Sequence, residues 1–188
     1  EKLVGDTGKG KITWTKEAED AFRTSQKAVK DINGVYIPRP DDVLMTFSDY
    51  SEEHNAIGGR LEIHRVVDGK KVKLHGGFFS VTLGESRSRW WPCELEAFGC
   101  KVTLEFFASY IRDNLNITCH YTDSRPTVDA WNLSRKGAYS SSPRLSAFLS
   151  GLSTLGVEIK HKPGKEMLST DFLSRNPKAC DDQRCQIC

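Results

Sequence analysis

Val43-Leu44-Met45-Thr46-Phe47-Ser48-Asp49-Tyr50-Ser51 is a β-prone run that brings a carboxylate to its end, and Ile117-Thr118-Cys119-His120-Tyr121-Thr122-Asp123-Ser124 repeats the arrangement. Between them, Glu94 opens Glu94-Leu95-Glu96-Ala97. Farther on, Asp171 lies within Lys165-Glu166-Met167-Leu168-Ser169-Thr170-Asp171-Phe172-Leu173-Ser174-Arg175, a segment that can be helical with Asp171 on its inner face. Each local pattern carries its acid to one end of a sheet. Taken singly, an aspartate at a strand end is usually a turn former or a helix cap. Taken together, Asp49, Glu94, Asp123 and Asp171 make sense only if something cationic holds them.

The global numbers set limits around that reading. A chain of 188 residues suits one α/β domain plus flanks and buries a core without disulfides. A formal net charge of +2 is nearly balanced, so a nucleic-acid partner has to be argued from local patches. No apolar run approaches the roughly 20 residues that span a bilayer, and the chain reads as soluble. Cys93, Cys100 and Cys119 are dispersed, while Cys180, Cys185 and Cys188 crowd the end, which is not the framework of a small secreted domain. The chain begins on Glu1 and ends on a cysteine, as expected for a piece of something longer.

Residues 15 to 31 predict an amphipathic helix with Ala18, Ala21, Phe22, Ser25, Ala28 and Val29 on one face and Trp14 just ahead. Gly34 and Pro38-Arg39-Pro40 break the chain. Three β-rich runs follow from about 42 to 84, joined by Gly58-Gly59 and by Asp68-Gly69, the latter a good hairpin signal. A long helix is expected from Pro92 to Asn114, then the strand to Asp123 and a helix through Val128, Ala130, Trp131 and Leu133. After a polar loop, Pro143 opens a helix through Leu152 that Gly156 ends. Val157 to Lys160 make a last strand, Pro163-Gly164 turns, and a short helix carries Asp171.

Three antiparallel strands, a helix, a strand, helices, a strand and a helix follow the order of the ribonuclease H fold, and the wording resembles it too. Lys162-Pro163-Gly164-Lys165-Glu166 followed by Asp171-Phe172-Leu173-Ser174-Arg175 resembles the ending of the ribonuclease H region in reverse transcriptases of gypsy-class LTR retrotransposons and, more distantly, retroviruses. Thr122-Asp123-Ser124-Arg125 looks like that family's third-acid motif, Glu94-Leu95-Glu96-Ala97 like its Glu-Leu-x-Ala, and Asp49-Tyr50-Ser51 like its Asp-Ala-Ser. Trp14-Thr15-Lys16-Glu17 through Ala21-Phe22 resembles the arm joining polymerase to nuclease, so the likeness covers about residues 12 to 175. Met167 departs from it, because the family commonly has asparagine there, and two extra residues between Asp49 and Gly58-Gly59 blur the first hairpin.

The resemblance implies an α/β, ribonuclease H-like fold with a mixed five-stranded sheet, three strands antiparallel and then two parallel, flanked by helices. It implies a linker and helical arm over 1–41, the nuclease domain over 42–175 and a cysteine-containing tail over 176–188. The implied activity is metal-dependent hydrolysis of the RNA strand of RNA/DNA hybrids during reverse transcription. Two Mg²⁺ ions, with Mn²⁺ as substitute, would be held by Asp49 between them, by Glu94 and Asp123 on the first and by Asp171 on the second. Glu96, two residues beyond Glu94, is then a solvated surface acid. His161, ten positions before Asp171, stands at the interval where retroviral and cellular relatives place a histidine that helps protonate the product or shuttle metal; gypsy-class members usually lack it, and the alternative is that His161 merely ends a strand. Substrate contacts fall to Ser51, Asn55, Ser124, Arg125 and Trp90, the last with its neighbour Trp91 and the preceding Arg87-Ser88-Arg89.

The implied partners are the hybrid and the polymerase part of the same polyprotein, with no membrane. The implied location is intracellular, in a cytoplasmic virus-like particle or the nucleus. Two other classes compete. A catalytically silent connection domain would keep the fold to tether the polymerase and grip nucleic acid, but no acid is missing. A transposase or integrase core would order its acids Asp, Asp, Glu, and here the glutamate comes second. Cys180, Cys185 and Cys188 offer three zinc ligands where four are wanted, so a linker is the expectation for the tail.

Overall fold

A computed structural model describes residues 15–30, 34–87, 89–177 and 185, with the side chains of 28–30 left out. The chain divides into two compact units, Glu1–Gly34 and Val35–Cys188. In the first, α1 (Lys16–Lys30) is the expected helix, and the Thr15 hydroxyl caps it by accepting from the Ala18 amide at 3.2 Å. Trp14, the side chains of Ala28 and Val29, Ser88, Cys180 and Cys188 lie outside the described residues.

The second unit holds β1 (Val43–Ser51), β2 (Ala56–Val67), β3 (Lys70–Thr82), α2 (Pro92–Phe106), α3 (Ala108–Arg112), β4 (Thr118–Thr122), α4 (Arg125–Ser134), α5 (Pro143–Ser150), β5 (Val157–His161) and α6 (Leu168–Arg175). The strands form one sheet in the order β3-β2-β1-β4-β5. Pairing is antiparallel from β1 through β3 and parallel from β1 through β4 to β5, which is the mixed sheet expected. Among the described residues, no helix is long and apolar enough to cross a membrane.

Strand alternation assigns the faces. Leu44, Leu61 and Ile63 point toward α2, α4 and α5 and join Ala97, Leu104, Trp131, Leu149 and Ile159 in the main core. On the other face, Gly58 lets α6 come down onto β2. A Cβ there would lie 2.5 Å from the Ser174 amide nitrogen and 2.6 Å from the Thr170 carbonyl oxygen. The Gly58-Gly59 pair is therefore a notch inside β2 and not the joint expected between strands. The joint is the turn ending at Asn55, which takes a positive φ of 44°. The second hairpin is as read, with Asp68 and Gly69 at φ 50° and 75°.

The long helix differs from expectation in one place. It breaks at Phe107 (φ −97°, ψ 11°), separating α2 from α3. The bend drives the Phe107 ring into the core at 2% exposure, against Gly77, where a Cβ would be 2.8 Å from the ring. The helix opened by Pro143 likewise stops at Ser150, and a 3₁₀ turn over Ser153–Leu155 completes the connection before Gly156 (φ 63°) reverses the chain into β5.

Because the atoms facing Gly58 are helix backbone, they cannot swing aside as a flexible side chain would. Gly58→Ala is expected to lower unfolding stability by about 2 kcal/mol or more in chemical denaturation. A loss below about 0.5 kcal/mol would mean that α6 does not seat in this notch.

Candidate active site

β1 and β4 are parallel neighbours, so their carboxyl ends coincide and Asp49 and Asp123 emerge together. The third acid beside them is Glu96 of α2. One ligand oxygen each from Asp49, Glu96 and Asp123 lie within 4.8 Å of one another. This corrects the expectation for Glu94. Two residues along a helix turn through roughly 200°, so only one of the two glutamates can face the sheet end. Glu94 occupies the third helical position after Trp91, and its carboxylate accepts from the Trp91 amide (3.2 Å), the Ser142 hydroxyl (2.8 Å) and the Arg144 guanidinium (2.7 Å). Burial alone would raise its pKa, yet those donors together hold the carboxyl below its ordinary range. Glu96 is half-buried rather than a solvated surface acid, and its Oε2 is enclosed without a hydrogen-bond partner.

Enclosing like charges at this spacing has an electrostatic cost. Burial, and then repulsion from Asp49 and Asp123, push Glu96 well above the usual carboxylate range. Asp49 is 8% exposed and is pushed up to about 6 by burial, against which the Ser174 hydroxyl donates a 2.5 Å hydrogen bond. Asp123 and Asp171 add repulsion. Asp171 lies on α6 as expected, but outside the close trio, with its Oδ1 accepting from Arg175 Nε at 2.7 Å. The Pro163-Gly164 turn closes over Asp123, where a Cβ on Gly164 would stand 2.8 Å from Asp123 Oδ2. His161 ends β5, in register with Thr122 and so beside the Asp123 end of β4.

The expected substrate contacts separate into two groups. Ser124 is buried as the N-cap of α4, accepting from the Thr127 amide, and Asn55 is tied into its turn by the Tyr50 hydroxyl and the Leu83 carbonyl. Ser51 is 6% exposed. Trp90 packs against Phe98 and Phe148, each with ring centroids 5.5 Å away, so its ring is committed to an aromatic cluster. Arg125 is exposed, and so is Trp91 at 73%. Of the two tryptophans, Trp91 is the one that faces solvent.

The sequence reading missed a polar layer beneath the acids. His120 is fully buried, with Thr46 Oγ1 2.9 Å from Nδ1 and Ser48 Oγ 3.0 Å from Nε2, and Ser48 also donates to Cys100 Sγ at 3.6 Å. Burial pushes His120 down to about 3, so the ring is neutral and serves as a cross-strand brace between β1 and β4. Its position in an alternating strand, inward with Thr118 and Thr122, was the available signal.

The donor set fits a hard divalent cation. It consists of carboxylate oxygens, one of them enclosed and unpartnered, beside a glycine that leaves Asp123 unobstructed.

No family model matches the chain, and no curated protein does. Among solved structures, the chain is similar to a foamy viral protease-reverse transcriptase in complex with double-stranded DNA, at 14% identity and a TM-score of 0.49, covering 84% of this chain and 28% of that one. It is similar to RNase H1 of the archaeon Halobacterium salinarum at 16% identity and a TM-score of 0.49, covering 69% and 92%. LC11-RNase H1 in complex with an RNA/DNA hybrid stands at 15% identity and 0.48, again covering 69% and 92%. This chain's own strand order and helix placement are those of a ribonuclease H-like fold.

Raised carboxyl pKa values oppose folding where the groups are ionised. Above pH about 6, Asp49 is charged in both states and the folded state carries the penalty. As pH falls through 6 toward 4, the folded protein binds the proton first and the penalty is relieved. Without metal, the melting temperature is expected to rise between pH 7.5 and 5.5. Asp49→Asn is expected to be more stable at pH 7.5, by on the order of 2 kcal/mol, with a flatter profile. Calorimetry across this range tests it, and a wild-type midpoint that falls with acid while Asp49→Asn destabilises would refute it.

Proposed function

We propose that this chain is a metal-dependent ribonuclease H that hydrolyses the RNA strand of RNA/DNA hybrids, as the nuclease region of a gypsy-class LTR retroelement polyprotein. The observation that carries this reading is the meeting of Asp49, Glu96 and Asp123 within 4.8 Å, with an enclosed and unpartnered oxygen on Glu96. The motif wording around Asp49, Asp123 and Asp171 supports it, and the ribonuclease H-like strand order agrees with it.

Two divalent ions, Mg²⁺ or Mn²⁺, supply an activated water and stabilise the leaving oxyanion in this kind of phosphodiester hydrolysis. Asp49 would hold both, Glu96 and Asp123 one, and Asp171 the other. Ser174 holds the Asp49 carboxylate in place through its hydrogen bond to Oδ2, leaving the remaining oxygen lone pairs for the ions. His161 ends β5 beside this edge, and in this reading it would give a proton to the departing 3′ oxygen. Arg125 is exposed just past Asp123 and suits a substrate phosphate, and the exposed face of Trp91 suits stacking or sugar contact on the strand. The polymerase segment of the same polyprotein is the natural partner, and a virus-like particle the natural location.

The test is cleavage of a labelled RNA/DNA hybrid beside matched RNA and DNA duplexes, with Mg²⁺ or Mn²⁺. Loss of RNA from the hybrid alone is expected. Asp123→Asn and Glu96→Gln are each expected to slow it by about two orders of magnitude, as when one electrostatic catalytic group is removed. Tight hybrid binding without cleavage would instead mark a silent tethering domain, and neither binding nor cleavage would end the nuclease reading.

A further inference from the structure

Glu94 is left over from the acidic cluster, yet it is among the most heavily engaged carboxylates in the molecule. Its three donors come from two places: the amide of Trp91 at the start of α2, and Ser142 and Arg144 at the start of α5. Ser142 is also the N-cap of α5, where its Oγ accepts from the Leu145 amide at 3.2 Å while donating to Glu94 at 2.8 Å. One carboxylate thus closes the first turn of α2 and joins it to the first turn of α5. Arg144 is held from a second side as well, its guanidinium carbon 4.6 Å from the Trp90 ring centroid, and Trp90 rests on Phe98 of α2 and Phe148 of α5.

Glu96 follows directly on the turn that this junction closes, so its place depends on how that turn is seated. Helix termini fray, because their first amides lack intrahelical partners. Glu96 is pressed against two other carboxylates with one oxygen unpartnered, so when it is ionised, as metal binding requires, repulsion acts to lift it away from Asp49 and Asp123. A hydrogen bond from the Tyr50 backbone to the Glu96 carboxylate offsets only part of that push.

We infer that the Glu94–Ser142–Arg144 junction is a positioning clamp that keeps the start of α2 seated and so holds the Glu96 carboxylate in the cation-binding trio. Glu94 is not a ligand; it acts through Glu96, and Arg144 acts through Glu94. The inference rests on the proposed metal-binding reading of Asp49, Glu96 and Asp123, and it adds two residues on which that site depends.

The test is Mn²⁺ titration by calorimetry of the whole chain, well below each variant's melting temperature, for wild type, Glu94→Ala, Arg144→Ala, the double variant and Arg144→Lys. Glu94→Ala and Arg144→Ala are each expected to weaken Mn²⁺ about 10- to 100-fold, the range for residues that orient a ligand. The double variant should be no weaker than the worse single variant, since both break one junction. Arg144→Lys, which keeps a charge for Glu94, should recover part of the loss. Two results would overturn the clamp. If Glu94 were itself a ligand, Arg144→Ala would free it and tighten Mn²⁺. If the junction served stability alone, the variants would melt lower with unchanged affinity. Wild-type protein that binds no Mn²⁺ would remove the metal-site reading and the clamp with it, whereas normal wild-type binding with unaffected variants would remove the clamp alone. Should Glu94→Ala fail to fold, Arg144→Ala and Arg144→Lys decide the matter by themselves.

Discussion

The repulsion among Asp49, Glu96 and Asp123 is the constraint on which the rest of this structure turns. Three carboxylates within 4.8 Å would separate if their backbones allowed it. They do not, because each is mounted on an element anchored elsewhere. β1 and β4 are adjacent in the middle of the sheet, braced by His120 between Thr46 and Ser48, and α2 is pinned to α5 through Glu94. The buried apolar core beneath provides the opposing free energy, with Leu44, Leu61, Leu104 and Leu149 fully enclosed. Carboxyls that burial and mutual repulsion push above their ordinary range are groups whose charge a cation would offset.

The same logic explains the other face of the sheet. α6 approaches β2 closely because Gly58 offers no side chain, and that approach brings Ser174 to Asp49 and Asp171 to the edge of the cluster. Arg60 strengthens the seat. It lies over the Phe47 ring at 3.8 Å and donates to Thr170 of α6 and to Glu62, whose carboxyl is pulled down to about 2 against its burial by hydrogen bonds from His64 and Arg60. A glycine on one strand and a serine on one helix thus place an acid from the end of the chain beside one from its first strand.

Much of this was legible in the residues. Alternation gave β1 and β4 with their terminal acids, Asp68-Gly69 gave the hairpin, and Pro92 and Pro143 opened helices where proline is tolerated. The misreadings share a cause, which is that neighbours in space were invisible. Gly58-Gly59 has the composition of a joint between strands, while in the fold Gly58 receives a helix from more than a hundred residues away. Phe107 continues a helical pattern, yet packing against Gly77 bends the chain. Trp90 and Trp91 have similar local surroundings in the sequence, and only Phe98 and Phe148 decide which one is drawn into an aromatic cluster.

The two glutamates of α2 divide sequence from structure most clearly. By itself the sequence determined that a helix begins at Pro92, that Glu94 and Glu96 lie on opposite sides of it, and that only one can reach the strand-end aspartates, because helical period is a local property of the chain. Which one does so was decided by tertiary structure. α5 brings Ser142 and Arg144 to the side of Glu94, and the sheet end lies on the side of Glu96, so the carboxylate with two side-chain donors became the fastener and the one facing the strand ends became the third acid of the cluster.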